Sequence, residues 1–372
     1  MNKVIYKILL EITMLSKWIL LIASCMVIIP MTQALEISQV GVYDFGVAYD
    51  VVYEEDTVYV SGNEGVDIFG VSDRMNPEKL SRIENGGGSF GLFLRENILY
   101  IAGADDGFFI ADIEDPRNPA IVGFVSGIAV LNVFVEEEYA YVTSGGSFSI
   151  IDISDPNEPI IIASVPGSDR RYHVYVVGDT LYLGETSLGL MVYDISDREE
   201  PIYITTVLDT SGTFDMISKG DNLYLACHGN GVKILDISDR ESPRIIGSYN
   251  NGGEAYGVHI VDEYLFVADL QKGVEILDIS NPRSPIFLAR WMGTHPHGVW
   301  GDANYVYLAD QDDGLEIFIY GDDIGEPEVI QREDSASDVS LINQIPVSVL
   351  IVFTGVLLGM ILAKTQHVPD IR

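Results

Sequence analysis

Short apolar runs recur along the chain at a nearly constant interval. Each begins at a glycine or a serine and ends in an acidic or polar turn, as in Gly-Val-Lys-Ile-Leu-Asp-Ile-Ser-Asp at residues 231–239. The seven runs lie 40 to 42 residues apart and begin at Gly65, Gly107, Ser147, Gly189, Gly231, Gly273 and Gly314. One blade of a β-propeller, with four short strands and their turns, occupies about 40 to 45 residues. The interval therefore predicts an all-β fold, a seven-bladed β-propeller of four-stranded blades.

The sixth copy shows how one repeat divides into strands. Residues 256–261 and 264–268 are rich in β-branched and aromatic residues and flank a short Asp-Glu turn, which is typical of a hairpin. The run at 273–279 predicts a third strand, and residues 286–291 a fourth. Prolines stand only in the turn between these last two strands, where no ladder donor is lost.

The two ends of the repeat region predict how the ring closes. The seventh copy stops near residue 320 without a fourth strand, whereas residues 35–43 have the character of a fourth strand without the other three. We expect residues 35–43 to complete blade seven, which protects an otherwise open sheet edge. The propeller is then predicted to span residues 35–320.

The repeated motif resembles a known family. The sequences Ile-Leu-Asp-Ile-Ser-Asp at 234–239 and Ile-Ile-Asp-Ile-Ser-Asp-Pro at 150–156 are similar to the LVIVD-repeat β-propeller family, over roughly residues 35–322. The first and seventh copies depart from the motif, since they lack the aspartate before the last apolar residue. The resemblance implies a surface or periplasmic propeller and brings no catalytic motif, so that function has to be argued from a site.

The N-terminus has the pattern of a secretory signal peptide over residues 1–34. Lysines precede an apolar run at residues 18–30, and Thr-Gln-Ala at 32–34 provides a cleavage site of small residues. A lipoprotein signal is the alternative, because Ile-Ala-Ser-Cys at 22–25 fits the pattern for lipidation of Cys25. Against it, the chain stays apolar after Cys25.

The C-terminus predicts a single-pass membrane anchor. Residues 345–363 carry no charge and are long enough to cross the hydrocarbon core as a helix. Lys364 and Arg372 follow in a short tail, residues 364–372, which the positive-inside rule assigns to the cytoplasm, with the propeller on the extracytoplasmic side of the cell membrane. Gly355 and Gly359 have the spacing of a weak helix-dimer contact, although glycine is common in such helices.

Acidic residues dominate the rest of the chain. Residues 35–344 hold 16 of the 21 basic residues and 54 of the 56 acidic ones, a net charge of −38. Residues 321–344 lack periodicity and are expected to form an acidic, flexible stalk. A negative field disfavours nucleic acid and anionic lipid, and leaves a protein partner or a cationic ligand. The alternative is that the charge serves solubility alone.

The first strand of each blade should line the central channel. Alignment of the copies assigns one equivalent position at its mouth to Asp50, Gly91, Asn132, His173, Asp215, Gly257 and Gly298. We expect the glycines to leave space there, while Asp50, Asn132, His173 and Asp215 converge on a cation or polar ligand. A funnel lined by ordinary polar residues and filled with water is the alternative.

The loops between second and third strands should share this rim. They bring further polar residues, namely Asp105, Asp106, Glu185, His228, Asp269, Asp310, Asp312 and Asp313. Oxygen ligands suit calcium, and the cluster Asp310, Asp312 and Asp313 resembles the start of a calcium loop that lacks the later glutamate. Because that glutamate is missing, we expect these acids to be solvated loop residues. His295 and His297 lack a third ligand for a transition metal.

The sequence favours a binding or scaffold module over an enzyme. Residues 87–91 fit the string Gly-x-Ser-x-Gly, but no helix is expected after them, and nucleophilic chemistry of that type needs a strand-to-helix turn. After signal cleavage Cys227 is the sole cysteine, expected to pack at the edge of the core. A hydrolase or lyase at the channel mouth, with His173 and Asp215 as acid and base, is the alternative.

Overall fold

The structure is a computed structural model, and it describes residues 35–167 and 171–321, without the side chains of Arg171 and Tyr172. The predicted signal peptide, stalk, membrane helix and tail, with Cys25, Gly355 and Gly359, lie outside the described residues. Gly321 is the exception, because it ends the last strand and does not begin the stalk. Within the described ranges, no helix is long and apolar enough to cross a membrane.

The described residues contain 28 strands. In chain order they are β1 Glu36–Tyr43, β2 Ala48–Glu54, β3 Thr57–Gly62, β4 Gly65–Gly70, β5 Glu78–Ile83, β6 Leu92–Arg95, β7 Ile98–Ala102, β8 Phe108–Asp112, β9 Ala120–Val125, β10 Asn132–Glu136, β11 Tyr139–Thr143, β12 Ser147–Asp152, β13 Ile160–Pro166 and β14 Arg171–Val177. The second half comprises β15 Thr180–Glu185, β16 Gly189–Asp194, β17 Ile202–Val207, β18 Asp215–Lys219, β19 Asn222–Ala226, β20 Val232–Asp236, β21 Arg244–Tyr249, β22 Ala255–Val261, β23 Tyr264–Asp269, β24 Gly273–Asp278, β25 Ile286–Trp291, β26 Pro296–Gly301, β27 Tyr305–Asp310 and β28 Gly314–Gly321.

These strands form seven antiparallel sheets of four strands each. Blades one to six take four consecutive strands each, from β2–β5 to β22–β25, and blade seven joins β26, β27 and β28 to β1. The innermost strand of every blade contacts its counterpart in the next blade, from β2 and β6 around to β26 and β2. The sheets therefore close into a seven-bladed propeller around a central channel.

The repeated aspartates form tight turns at the face opposite the loops between second and third strands. In blade three, Asp152 Oδ1 accepts a hydrogen bond from the Ser154 N–H at 2.9 Å, and Asp155 Oδ1 accepts one from Asn157 at 3.0 Å. Blades two, four and six repeat both hydrogen bonds. Because each carboxylate or amide oxygen satisfies a turn N–H two residues later, the Asp-Ile-Ser-Asp motif favours the turn into the outermost strand.

The hydrophobic core lies between the blades. Seven clusters of buried residues each join the facing sides of two neighbouring blades. The second strand of each blade contributes one buried aromatic ring at the same position. In blade order these are Tyr59, Tyr100, Tyr141, Tyr182, Tyr224, Phe266 and Tyr307. No blade has a core of its own, which is why the stability of each depends on its neighbours.

The N-terminal strand β1 is the outer strand of blade seven. It pairs antiparallel with β28, from Glu36 opposite Gly321 to Tyr43 opposite Leu315. A bulge interrupts this pairing between Gln39 and Gly41, as a bulge interrupts the pairing of third and fourth strands in each of the other six blades. Since β1 has the register of a fourth strand, the two ends of the propeller meet in one sheet.

Candidate functional site

One end of the channel opens into a cavity of about 490 Å³. All seven positions that the repeat alignment assigns to the mouth line it, namely Asp50, Gly91, Asn132, His173, Asp215, Gly257 and Gly298. They come together because each stands within two residues of the start of an innermost strand, and these strands all begin at the same end of the channel. Asp105 and Gly145, from loops between second and third strands, line the same cavity.

Three of the four polar mouth residues accept a hydrogen bond from a backbone N–H group of the next blade. Asp50 Oδ2 accepts a hydrogen bond from the Leu92 N–H at 2.8 Å, and Asp215 Oδ2 accepts one from Val258 at 2.8 Å. Asn132 Oδ1 accepts one from the Val174 N–H at 3.2 Å. In each pair the acceptor belongs to an odd-numbered blade and the donor to the blade that follows. The mouth residues therefore hold blades together as well as facing the cavity.

The glycines do not leave the free space that the sequence suggests. A Cβ atom on Gly91 would lie 2.9 Å from Asn132 Cα, and one on Gly298 would lie 2.8 Å from Asp50 Cα. Contacts under 3.0 Å to backbone atoms force the backbone to shift. At Gly91 and Gly298, glycine is required by the close approach of the next innermost strand.

His173 and Asp215 form the direct side-chain contact of the mouth. His173 Nε2 lies 2.8 Å from Asp215 Oδ1, and the side chains are 14% and 26% exposed. His173 Nδ1 is buried and has no hydrogen-bond partner. Asp215 Oδ1 also accepts a hydrogen bond from its neighbour Met216 N–H at 2.7 Å. The pair is held in place by the backbone, and one imidazole nitrogen remains unused.

Asp50 has an altered acidity. Asp50 is partly buried, and this burial raises the pKa of its carboxyl from 3.8 to about 7. The negative charge of Asp215 raises the pKa further, while hydrogen bonds from Leu92 and Val51 and the nearby His173 lower it. A carboxyl group of this kind exchanges a proton near neutral pH.

A layer of aromatic side chains stands one residue before five of the seven mouth positions. Phe90, Tyr49, His297, Tyr256 and Phe214 line the cavity, and adjacent rings in this order have centroids 4.6, 6.0, 4.6 and 4.4 Å apart. The rings form a continuous arc across blades two, one, seven, six and five. We did not predict this layer from the sequence. The same repeat alignment, moved back by one residue, reveals it.

The expectation that the acids of the rim loops are solvated is wrong for Glu185, Asp269 and Asp310, which are almost completely buried. The carboxylate of Asp310 accepts hydrogen bonds from the backbone N–H groups of His295, Asp312 and Asp313, at 2.5, 2.8 and 3.0 Å. Asp310 therefore caps its own turn. Asp269 accepts three comparable backbone hydrogen bonds in blade six.

The described residues offer little support for a metal site or for nucleophilic catalysis. Among the described residues, no three His, Cys, Asp or Glu side chains are placed to hold one metal ion. Asp312 pairs with His295 at 2.7 Å, at an exposed position. Ser89, in the Gly-x-Ser-x-Gly string, is buried, lies in the connection between β5 and β6, and accepts a hydrogen bond from Asn85. Cys227 is buried, and its burial raises the thiol pKa to about 11.

Comparison with known families supports the repeat analysis. The sequence model of the LVIVD repeat matches residues 86–126, 128–166, 172–209, 213–251, 252–292 and 297–318, more than half of the chain. The chain belongs to the LVIVD-repeat family. The matches begin in blade two and end within blade seven. Of the two blades that depart from the motif, blade one is therefore not matched and blade seven is matched only in part. No curated protein matches the chain.

Solved structures confirm the propeller fold. The computationally designed Ika8 protein is similar with a TM-score of 0.56 and 11% identity, over 76% of this chain and all of that one. A chain of a mitotic checkpoint complex and the WD40 β-propeller domain of Doa1 both have TM-scores of 0.61 and 11% identity. They cover 77% and 76% of this chain, and 92% and 96% of their own. Identity this low speaks only to the fold.

Proposed function

We propose that this LVIVD-repeat propeller is a membrane-anchored, extracytoplasmic binding or scaffold module, with its ligand site at the channel mouth. One observation carries the site: polar and aromatic side chains from separate blades converge on a single cavity of about 490 Å³. A volume of that size suits a small molecule or one long side chain of a protein partner. The signal peptide and membrane helix expected from the sequence support the location.

The composition of the cavity favours binding over catalysis. Its described lining holds carboxyl, amide, imidazole, phenol and phenyl groups but no serine, threonine, cysteine or lysine nucleophile. The best-connected polar groups, Asp50 and Asp215, also accept backbone hydrogen bonds from the following blades. Groups that hold the ring together provide a rigid, preorganised surface for a ligand.

A proton-transfer enzyme, a lyase or a hydrolase acting through water, is the second candidate. The contact between His173 and Asp215 and the pKa of about 7 at Asp50 favour it, because such groups act as acid or base near neutral pH. A molecule recovered unchanged after incubation with the protein supports a binding module. A converted molecule supports the enzyme.

The test compares three forms of the full-length protein as bait for a surface extract and a metabolite extract. They are the wild type, Asp50→Asn at the mouth, and Asp221→Asn in the exposed turn at the other end of blade five. A ligand of the mouth is retained by the wild type and by Asp221→Asn, and lost from Asp50→Asn. Retention by all three forms would place the binding surface elsewhere on the propeller.

The location is tested separately on intact cells. Protease added outside should cleave the chain between residues 322 and 344 and release a folded propeller of residues 35–321. Resistance in intact cells, followed by cleavage after lysis, would put the propeller on the cytoplasmic side.

A further inference from the structure

The walls of the cavity offer a ligand mainly aromatic surface. Five ring-bearing side chains from five blades form its arc, and the rings of Tyr256 and His297 are stacked, with centroids 4.6 Å apart and planes 11° apart. Burial lowers the pKa of His297 to about 4, so its ring is neutral at physiological pH. The five rings therefore make this part of the wall an uncharged and largely apolar surface.

The polar groups of the cavity carry negative charge. Three aspartates line it: Asp50 and Asp215 among the mouth residues and Asp105 at the outer edge. Among the side chains that the structure describes there, none belongs to lysine or arginine. With these aspartates included, residues 35–344 carry a net charge of −38. An anionic ligand would face this field without a counter-ion.

An inorganic cation matches the negative charge of the cavity but not its aromatic wall. Divalent metals need several oxygen ligands in one shell, and no group of three candidate ligands occurs in the described residues. The carboxylates of Asp50 and Asp215 each accept two hydrogen bonds from backbone N–H groups, and Asp215 also contacts His173, so few of their lone pairs remain for the inner shell of a metal ion. Aromatic walls contribute little to a hydrated metal ion, whereas they bind the weakly hydrated surface of an organic cation.

We infer that the channel mouth binds an organic cation, an ammonium or guanidinium group that lies beside the rings of Tyr49, Tyr256 and Phe214, with Asp50 as its counter-ion. The inference rests on the proposed binding function and names its ligand class. The group belongs either to a free amine or to a lysine or arginine side chain of a partner, because both sources present the same chemistry. The cavity has room for the cation and for the carbon chain attached to it.

The experiment uses calorimetric titration of the full-length protein with single compounds. Tetramethylammonium and choline represent free quaternary amines, and butylammonium and methylguanidinium represent lysine and arginine side chains. The neutral control is the alcohol in which a carbon atom replaces the nitrogen of choline. We expect saturable binding of at least one cation with a dissociation constant of about 1 mM or lower, and binding of the alcohol at least about tenfold weaker.

The dependence on pH provides a test without any variant. Asp50 faces Asp215 and His173 across the channel and the backbone N–H groups of Val51 and Leu92, and its pKa is about 7. A cation prefers the ionised carboxylate, so its affinity should rise by about tenfold from about pH 6 to about pH 8. The affinity for the neutral alcohol should not change. Asp50→Asn should abolish the rise and weaken cation binding, with Asp221→Asn unchanged.

The outcomes separate the ligand class from the binding function. Equal affinity for choline and its neutral analogue, or no binding of any cation by the folded wild type, overturns the organic-cation inference. If the extract experiment still yields a ligand that Asp50→Asn loses, the mouth remains a binding site for another chemical class. Preference for butylammonium or methylguanidinium over the quaternary amines indicates that the ligand carries a primary ammonium or a guanidinium group, as lysine and arginine side chains do.

Discussion

Asp215 Oδ2 accepts a hydrogen bond from the backbone N–H of Val258 at 2.8 Å, and this bond joins blade five to blade six at the channel wall. Asp50 with Leu92 and Asn132 with Val174 repeat the arrangement between blades one and two and between blades three and four. In all three pairs a side-chain oxygen, and not a backbone carbonyl, accepts the hydrogen bond of an N–H group on the next innermost strand. The mouth of the channel is thus both the candidate site and a structural joint.

Removal of this joint should destabilise the propeller. Asp215→Ala leaves the N–H groups of Val258 and Met216 without their acceptor and should lower the free energy of unfolding by about 2 kcal/mol. Asp215→Asn keeps one amide oxygen and should cost less. Urea denaturation of the full-length protein measures both, with Asp221→Ala as the control at the opposite end of the same blade. Equal losses for the alanine and asparagine variants would contradict the role of the acceptor oxygen.

The closing strand β1 should be sensitive to the size of one residue. A Cβ atom on Gly41 would lie 2.0 Å from the backbone oxygen of Arg74 in blade one. Gly41→Ala should therefore lower the free energy of unfolding by about 1–3 kcal/mol, since the two blades must separate slightly. Gly229→Ala is the matched control, because no atom lies within 4 Å of its added Cβ. Similar denaturation midpoints for the two variants would show that the ends of the ring are loosely joined.

The acidity of Asp50 should make stability depend on pH in a defined direction. Because burial raises the pKa from 3.8 to about 7, the folded state binds a proton more tightly than the unfolded state. This contribution favours folding at low pH, and it is lost progressively as the pH rises from about 4 to about 7, by about 1.4 kcal/mol per unit of pKa difference.

The measurement is the difference in unfolding free energy between wild type and Asp50→Asn across that range. His259 and His297 are partly buried, which lowers their pKa values to about 4. Their contributions to stability change in the opposite direction, but both proteins contain them and the contributions cancel. The wild type should lose stability relative to the variant as the pH rises. A constant difference would indicate an ordinary carboxyl group at position 50.

Two aspartates in the acidic loop of blade seven should differ in their contribution to stability, because one is buried and the other is exposed. Asp310→Ala removes the acceptor of three backbone N–H groups from a buried site and should lower the free energy of unfolding by about 3 kcal/mol without any calcium. Asp312→Ala removes an exposed pair with His295 and should cost less than about 1 kcal/mol.

Thermal unfolding with calcium and with sodium at equal ionic strength tests the calcium prediction in the same variants. A calcium-specific rise in melting temperature that Asp312→Ala reduces would support a weak site at these loops. Equal responses to both salts would indicate general screening of the acidic surface.

The seven-bladed architecture could be predicted from the sequence because its signals are local and repeated. Each copy carries the same apolar run and the same Asp-Ile-Ser-Asp turn, whose side chains bind backbone groups only two residues away. The seven mouth positions could be aligned for the same reason. A fixed period assigns each residue its place in a blade, and symmetry then brings equivalent residues around one axis.

The errors concern contacts between segments that are not neighbours in the sequence. Glu185, Asp269 and Asp310 look like solvated loop residues in sequence, and their burial depends on how the loop preceding the first strand of the same blade packs across the turn. In sequence, Gly91 and Gly298 suggest free space at the mouth. In the structure the next innermost strand occupies that space. Such distances do not follow from the composition of one repeat.

The sequence by itself determined the number of blades, the strands within them and the residues at each equivalent position, since these depend on short-range periodicity. The tertiary structure decided which polar groups are hydrogen-bonded within the protein and which face the channel. It buried Asp50 among neighbouring strands and so raised its pKa, and it set Tyr49, Tyr256 and Phe214 around the same cavity. Desolvation and convergence arise only where separate blades meet, because the residues involved are about 40 or more positions apart in the chain.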